Sequence, residues 1–178
     1  DLPRGWIKMM KRSMATVCPV FNTNRMVQEY MEKCYAPSAD RFERLTQEKL
    51  KRAAALSEWR RRLAREWGQI RVEQIEASGA DPMHVGSQLD VHARINLGNL
   101  KPDDVEVQLF HGLVDNAGDI PHPAALAMQH NSSPQGAVMV FKGTIPCRAS
   151  GHYGYAVRVL PKNADLANAF EPGLICWG

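Results

Sequence analysis

The sequence has few of the residue patterns that assign a chemical activity. Its 178 residues include only four cysteines, which are too far apart for a CxxC metal or redox motif. We expect these cysteines to be buried thiols rather than disulfides. No apolar run approaches the roughly 18 residues that a membrane-spanning helix needs, and no signal-peptide pattern opens the chain. The sequence therefore predicts a cytoplasmic protein without membrane contact. The cysteines are Cys18, Cys34, Cys147 and Cys176.

Catalytic and metal-binding motifs are also missing. The chain has no GxSxG elbow for a Ser-His-Asp triad, and Gly151–Gly154 leads into a predicted strand rather than a phosphate-binding helix. The histidines form no HxH, HxxxH or HExxH pattern, so a zinc site is the less favoured interpretation. We predict no catalytic, cofactor-binding or metal-binding residue in this chain. The histidines are His84, His92, His111, His122, His130 and His152.

Positive charge is concentrated in the first part of the chain. Residues 1–67 contain fifteen Lys or Arg against eight Asp or Glu, whereas residues 68–178 contain seven against eleven. The basic cluster Arg60–Arg62 is interleaved with Glu58 and Glu66, and no base-stacking or groove-reading motif accompanies it. We therefore predict a solvated helix face or an interface with an acidic protein surface, and no nucleic-acid binding.

Apolar residues recur at helical spacing through the first 67 residues. A first helix ends before Pro19, and a second, capped by Asn22 or Thr23, ends before Pro37. From Ser38 the pattern continues without Gly or Pro to Gly68, which predicts one long helix of about thirty residues, roughly 45 Å. The short helices have more apolar surface than they can cover themselves, so we expect another protein surface to cover it. The uncovered surface is formed by Trp6, Met9, Met10, Met14, Met26, Val27, Met31 and the long third helix.

Beyond Gly68 the apolar period shortens to two residues. In Gln88–Leu97 apolar and polar residues alternate strictly, as in a strand with one buried face. Seven such short strands without an intervening helix predict an antiparallel immunoglobulin-like β-sandwich. The fold class is then α+β, with helices in residues 1–68 and the sandwich in residues 69–178. The other predicted strands are Ile70–Ile75, Val105–Phe110, Ala124–Gln129, Ala137–Ile145, Tyr153–Leu160 and Leu174–Trp177, with turn-rich pieces at 79–82, 101–104 and 131–134.

Aromatic residues keep a carbohydrate-binding module open as an alternative function. Tyr153 and Tyr155 share one side of their strand with Val157 and Val159, which favours burial in the core. Trp177, next to the last residue, fits either a buried or an exposed position. The sequence does not decide whether these rings form a sugar platform.

Two series of segments carry a family resemblance. The helical half has Gly5-Trp6-Ile7, Ser13-Met14, the segment 21–30 and Tyr35-Ala36-Pro37, and the β-rich half has the segments 105–112, 143–145, 151–161 and 171–177. In this order they resemble the carboxy-terminal part of the α-glucan phosphorylases, the glycogen and maltodextrin phosphorylase family, most closely its bacterial and archaeal branch. The resemblance implies that Trp6, Phe21, Arg25, Met26 and Tyr30 serve packing and helix-turn geometry. Asn24 stands where the more distant glycogen phosphorylases have an acid.

The resemblance also implies what the whole enzyme does. Family members release glucose 1-phosphate from α-1,4-glucan and use pyridoxal phosphate, which a lysine in a Gly-Thr-Ser-Gly-Met-Lys type of segment holds. This chain has no counterpart of that segment, and Asp1 stands in place of an initiator Met. We therefore expect an inactive carboxy-terminal fragment with a structural or accessory role. The catalytic domains of the parent enzyme are its expected partner, α-glucan binding is left open, and the isolated fragment is expected to self-associate through helices within residues 1–67.

Overall fold

The computed structural model of the chain describes residues 2–79, 84–130 and 137–178. The chain divides into two compact units, Asp1–Ala53 and Ala54–Gly178. The first unit is helical, and the second contains the strands, which confirms the α+β class. The domain boundary predicted between residues 68 and 69 stays a prediction. The turns predicted at 80–82 and 131–134 lie outside the described residues.

The first unit begins with two short amphipathic helices, α1 (Arg4–Val17) and α2 (Thr23–Tyr30). Asn22 caps α2 as predicted, because its side-chain oxygen accepts a hydrogen bond from the Arg25 N–H at 2.8 Å. The Asn22 amide nitrogen donates to the carbonyl oxygens of Cys18 at 3.1 Å and Pro19 at 2.9 Å. One side chain therefore fixes both the end of α1 and the start of α2.

The second helix ends at Tyr30, before Pro37 as predicted, but the chain does not leave the helical form there. A π-helical turn, Met31–Tyr35, follows α2 directly and leads into α3 (Ala36–Glu66). Proline cannot donate the usual backbone hydrogen bond to the residue four positions earlier, and its ring crowds that carbonyl. The hydrogen bonds of a π-helical turn span five residues, so the wider backbone before Pro37 accommodates the ring without ending the helix.

The predicted long helical region is present as α3, but it is not one continuous helix. At Gln47 ψ is 157°, and Glu48, Lys49 and Leu50 have φ values of 50°, 55° and 66°. A left-handed backbone costs a residue other than glycine roughly 1–2 kcal/mol. Glu, Lys and Leu are strong helix formers, so the sequence carries no sign of this break.

Two antiparallel sheets form the second unit. The sheet orders are β1-β2-β6-β5 and β4-β3-β7-β8. With the strands lettered in chain order, these are the orders A-B-E-D and C′-C-F-G of immunoglobulin-like sandwiches, which confirms the predicted topology. The strands are β1 Arg71–Ser78, β2 Gln88–Asn96, β3 Val105–Leu113, β4 Ala124–Ala127, β5 Gln129–His130, β6 Val138–Pro146, β7 Tyr153–Pro161 and β8 Cys176–Trp177.

One predicted strand, Ala124–Gln129, is two strands in the structure. Strand β4 pairs with β3 in one sheet, and β5 pairs with β6 in the other. Met128 lies between them with its side chain buried, and its N–H donates to the Val107 carbonyl at 2.8 Å. The chain thus crosses from one sheet to the other at a single residue, which raises the number of strands in the described residues from seven to eight.

The core lies between the sheets and is packed closely enough to require a glycine. A Cβ atom at Gly143 on β6 would lie 3.1 Å from side-chain atoms of both Leu109 and Met128. Since such a contact is tighter than ordinary packing, a larger residue here would push the sheets apart. The core residues contributed by the strands include Val91, Ala93, Ile95, Val107, Leu109, Phe141, Ile145, Val157 and Val159.

The last part of α3 closes one end of the sandwich. Leu63 is 1% exposed and joins the core, as does Trp67 in the 3₁₀ turn Trp67–Gln69 that follows α3. Ile70, Leu97, Leu100 and Val105 belong to the same buried cluster. This helical segment and the two sheets share one core.

Candidate functional site

Asp104 is a buried carboxylate that joins α3 to the sandwich. One oxygen accepts hydrogen bonds from the Trp59 indole at 2.7 Å and the Arg62 guanidinium at 2.8 Å, and the other accepts from Arg62 at 2.9 Å and the Lys101 backbone N–H at 3.0 Å. Burial raises the pKa of Asp104, but these hydrogen bonds outweigh it and hold the pKa below its ordinary value. Because both of its oxygens already accept hydrogen bonds, this carboxylate is suited to a structural role. From the sequence alone, residues 101–104 are predicted only to form a turn.

The histidines and cysteines do not form a metal site in the described ranges 2–79, 84–130 and 137–178, where no three His, Cys, Asp or Glu side chains come together as ligands. All four cysteines are free. Cys147 is buried and Cys176 half-buried, but Cys18 and Cys34 are exposed, so the expectation of burial is wrong for these two. They lie in or beside the short helices, whose apolar residues the first unit leaves uncovered.

The described residues do not fit pyridoxal phosphate, the cofactor that the family resemblance implies for the whole enzyme. A Schiff-base lysine needs a desolvated amine, because burial disfavours its charged form. Within the part of the chain that the structure describes, every lysine is exposed except Lys142, which is half-buried and lies 2.8 Å from the Asp90 carboxylate.

The candidate surface in the first unit is formed by the exposed apolar residues of α1 and α2 with the adjoining π turn. Neither α1 nor α2 contains a buried residue, which is unusual for amphipathic helices. Exposed apolar residues in such number mark interaction sites. We call this surface the helical apolar face; its members are between 43% and 59% exposed and are Trp6, Met9, Met10, Met14, Met26, Val27, Tyr30 and Met31.

Arg25 holds the turn beside the helical apolar face. Its guanidinium pairs with Glu29 one helical turn later, donates to the Val20 carbonyl, and lies 5.9 Å from the centre of the Phe21 ring. Hydrogen bonds from Arg25 and Lys33 lower the pKa of Glu29. Arg25 and Phe21 thus serve turn geometry, as the resemblance implies, and the helix cap is Asn22 rather than Asn24.

A cluster of aromatic rings around Arg158 lies in the second unit. The guanidinium is 5.2 Å from the centre of the Phe110 ring and 5.5 Å from those of Phe170 and Trp177, and it donates to Gln108 at 2.8 Å. Trp177 meets Phe110 edge to face at 5.5 Å and is 48% exposed. We call Phe110, Arg158, Phe170 and Trp177 the aromatic cluster.

The two tyrosines expected in the core have different environments. Tyr153 packs against the core and is half-buried, as predicted. Tyr155, two residues further along β7, is 37% exposed, so the expectation of burial is wrong for this residue. Of the three rings considered for sugar binding, Trp177 is therefore the most accessible.

Comparison with known proteins places these units in a family. The family model described as the glycogen phosphorylase C-terminal domain matches residues 67–178. The chain belongs to this family. The match to individual relatives also includes the helical half. The glycogen phosphorylases of Mycobacterium bovis (strain ATCC BAA-935 / AF2122/97) and Mycobacterium tuberculosis (strain ATCC 25618 / H37Rv) are each 34% identical to the chain over 175 residues. The maltodextrin phosphorylase of Thermococcus litoralis is 30% identical over 176 residues.

These phosphorylases are much longer than the chain. The matches cover 97–98% of the chain but only 20% of each relative, in its carboxy-terminal part. The resemblance to phosphorylases is thus confirmed across both units. In the part of the chain that the structure describes, no helix is long and apolar enough to cross a membrane.

Proposed function

We propose that the chain is the carboxy-terminal part of an α-glucan phosphorylase and that the helical apolar face packs against the domains that hold the active site. The parent enzyme is a glycosyltransferase that uses pyridoxal phosphate to release glucose 1-phosphate from α-1,4-glucan. In this proposal the chain supplies structural support and no catalytic group. The cytoplasmic location of the parent also stays a prediction.

One observation carries the proposal: most apolar residues of α1 and α2 are exposed in a chain that matches only one fifth of the length of its relatives. The first unit buries no residue of α1 or α2. The relatives match this helical half as well as the sandwich, and four fifths of their length lies outside the match. The domains in those four fifths are the simplest source of a protein surface that covers the helical apolar face.

A chimeric enzyme tests this proposal. The matching segment of the M. tuberculosis glycogen phosphorylase is replaced by this chain, and release of glucose 1-phosphate from glycogen and phosphate is measured with pyridoxal phosphate present. We expect an active chimera and no activity from the isolated chain. The double change Met10→Glu and Met14→Glu should abolish most of the activity, because it places two charges in a buried contact.

The matched control for the chimera is Lys8→Glu with Lys11→Glu, which changes exposed polar residues of the same helix. This control should keep activity within about twofold of the unmodified chimera, as expected for surface changes. An inactive chimera that is folded, or equal losses in both variants, would contradict the proposed role of the face. Turnover by the isolated chain would contradict the absence of a catalytic group.

The same face leads us to propose that the isolated chain self-associates. Without its covering domains, an exposed apolar surface lowers its free energy by contact with a second copy. Sedimentation velocity over a concentration series should show a dimer or larger species, and Met10→Glu with Met14→Glu should shift it to monomer. A strictly monomeric chain at high micromolar concentration, with its helices intact by circular dichroism, would contradict this proposal.

The aromatic cluster supports a second candidate function, carbohydrate binding by the sandwich. Trp177 exposes about half of its surface beside the polar groups of Arg158 and Gln108, and exposed aromatic faces beside polar groups suit sugars. Calorimetric titration with maltoheptaose should then give saturable binding that Trp177→Ala weakens and Tyr30→Ala does not. No heat at millimolar sugar would reject this function.

A further inference from the structure

A cavity of about 370 Å³ opens beside one end of β3 in the second unit. Its walls are mostly apolar and come from the four strands β3, β4, β6 and β7 and the segments that adjoin them. The volume falls within the range of pockets that hold small organic ligands. Its principal lining residues are His111, Leu113, Leu126, Pro146, Arg148 and Tyr153.

His111 is the polar exception among the inward-facing residues of β3. The preceding inward positions are Val105, Val107 and Leu109, and all are buried in the core. His111 continues this row and is 8% exposed. Because alternate residues of a strand face the same side, a leucine at this position would extend the apolar core.

Neither ring nitrogen of His111 makes a hydrogen bond to any residue that the structure describes. Burial also lowers the pKa of His111, so the ring is neutral at physiological pH and offers one N–H donor and one acceptor. Buried polar side chains in folded proteins nearly always have a partner. Both nitrogens are covered in the structure, so an occupant of the adjoining cavity can provide this partner only when the ring turns.

The remaining lining restricts the chemistry of that occupant. His122 and Arg148 are exposed members of the wall, and among the residues that the structure describes no Asp or Glu lines the cavity. The Tyr153 ring and the Pro146 ring provide flat apolar surfaces. A sugar would bring several hydroxyl groups into a wall whose buried part holds one polar side chain. An aromatic ring with one hydroxyl group fits better, since it needs one polar partner.

We propose that this cavity binds a small aromatic molecule with one hydroxyl group, which forms a hydrogen bond with the His111 imidazole. A half-turn of that ring exchanges its nitrogen and carbon positions, so a nitrogen can be presented to the cavity without any change of the backbone. The cavity shares no lining residue with the helical apolar face or with the aromatic cluster, and the proposal does not depend on the proposed phosphorylase function.

Titration of the whole chain with p-cresol, followed by NMR, tests the site. Saturable shifts should be confined to amides of the lining, such as Gly112, Leu113 and Tyr153, and the nitrogen resonances of His111 should move. Toluene has the same ring and methyl group without the hydroxyl, so it should bind about threefold to tenfold more weakly, the range of one net hydrogen bond. His111→Leu should remove this preference for p-cresol.

The control variant is His92→Leu, which changes a histidine of β2 that does not line the cavity. It should keep both the binding of p-cresol and the preference over toluene. The nitrogen shifts of His111 in the unmodified chain test the hydrogen bond even if His111→Leu does not fold. Absence of saturable shifts would show that water alone fills the cavity, and glucose binding there in place of p-cresol would show that the ligand class is wrong.

Discussion

At the scale of single residues, Asp104 concentrates more polar contacts than any other carboxylate considered above. The side chain is 7% exposed and receives hydrogen bonds from Trp59, Arg62 and Lys101. Its contribution is to stability, because it neutralises donors that the docking of α3 removes from water. Loss of this carboxylate would leave those donors without a partner.

We predict that Asp104→Ala lowers the free energy of unfolding of the second unit by about 2–3 kcal/mol, since buried donors left unpaired carry the cost of desolvation. Urea denaturation, followed by tryptophan fluorescence, measures this loss. The matched control is Asp103→Ala, the exposed neighbour in the same turn, which should change the free energy by less than about 0.5 kcal/mol. Equal effects of the two changes would show that the network does not stabilise the fold.

The same residue predicts a pH dependence. The folded-state pKa of Asp104 lies below its ordinary value of 3.8, so the carboxylate contributes stability that is present above pH 3.8 and is lost as pH falls through the folded-state pKa. The difference in unfolding free energy between the unmodified chain and Asp104→Asn should be constant from about pH 7 to 5 and shrink below about 3.8. A difference that grows toward acid would contradict this assignment.

Sequence reasoning reached some of these residues and missed others for identifiable reasons. Asn22 was predicted as a cap because capping depends on neighbouring backbone groups. Asp104 was not, since its partners Trp59 and Arg62 lie more than forty positions away. From the sequence alone, His111 is only one of six histidines. That its ring lies unpaired in a row of core residues is known only once the structure gives the position of β3.

At the scale of elements, the period of apolar residues predicted strands better than helix ends. All seven predicted strand segments contain observed strands, and a period of two directly gives the buried side. The break in α3 and the crossing at Met128 were missed. Glu48, Lys49 and Leu50 favour helix in isolation, and the run from Ala124 to Gln129 contains no turn residue.

The break in α3 can be tested with glycine. Lys49→Gly should raise stability by about 1 kcal/mol, because Lys49 has a φ of 55° that glycine adopts without strain. Ala54→Gly, in the helical part of α3, should instead lower stability by about 1 kcal/mol. Thermal unfolding followed by circular dichroism compares the two. A loss of stability in both would indicate a continuous helix through residues 47–50.

The aromatic cluster can be tested at Arg158 on β7, which contacts three of its rings. Arg158→Lys should lower the unfolding free energy by about 1 kcal/mol, because a lysine lacks the planar group that stacks on rings. Arg94→Lys, an exposed position on β2, is the matched control and should have little effect. Denaturant titration of both variants measures the difference, and equal values would show that the stacking contributes nothing.

At the scale of the whole molecule, the folding unit of the sandwich extends beyond its strands. The family model begins at residue 67, whereas the second compact unit begins at Ala54. The interval contains Leu56 and Leu63, which are buried, and both side-chain partners of Asp104. A stable fragment of the sandwich therefore needs the helical residues between Ala54 and the start of the family match, in addition to the strands.

We predict that a chain of residues 54–178 folds with the stability of the second unit and that a chain of residues 69–178 does not. The shorter chain lacks Leu56, Leu63 and Trp67, each of which would cost about 2–5 kcal/mol if truncated in a core. Proton NMR and thermal unfolding of the two fragments decide the matter. Equal stability would support a domain boundary at residues 68 and 69.

The broken helix also determines where a protease can cut the chain. Proteases take their substrates as extended strands, so continuous helix resists cleavage and exposed irregular backbone is cut first. Residues 47–50 already lie outside the helical conformation, and Lys49 is exposed there with Lys51 two residues later. Brief treatment with trypsin should therefore release a product that begins at Leu50 or Arg52 and retains the entire second unit.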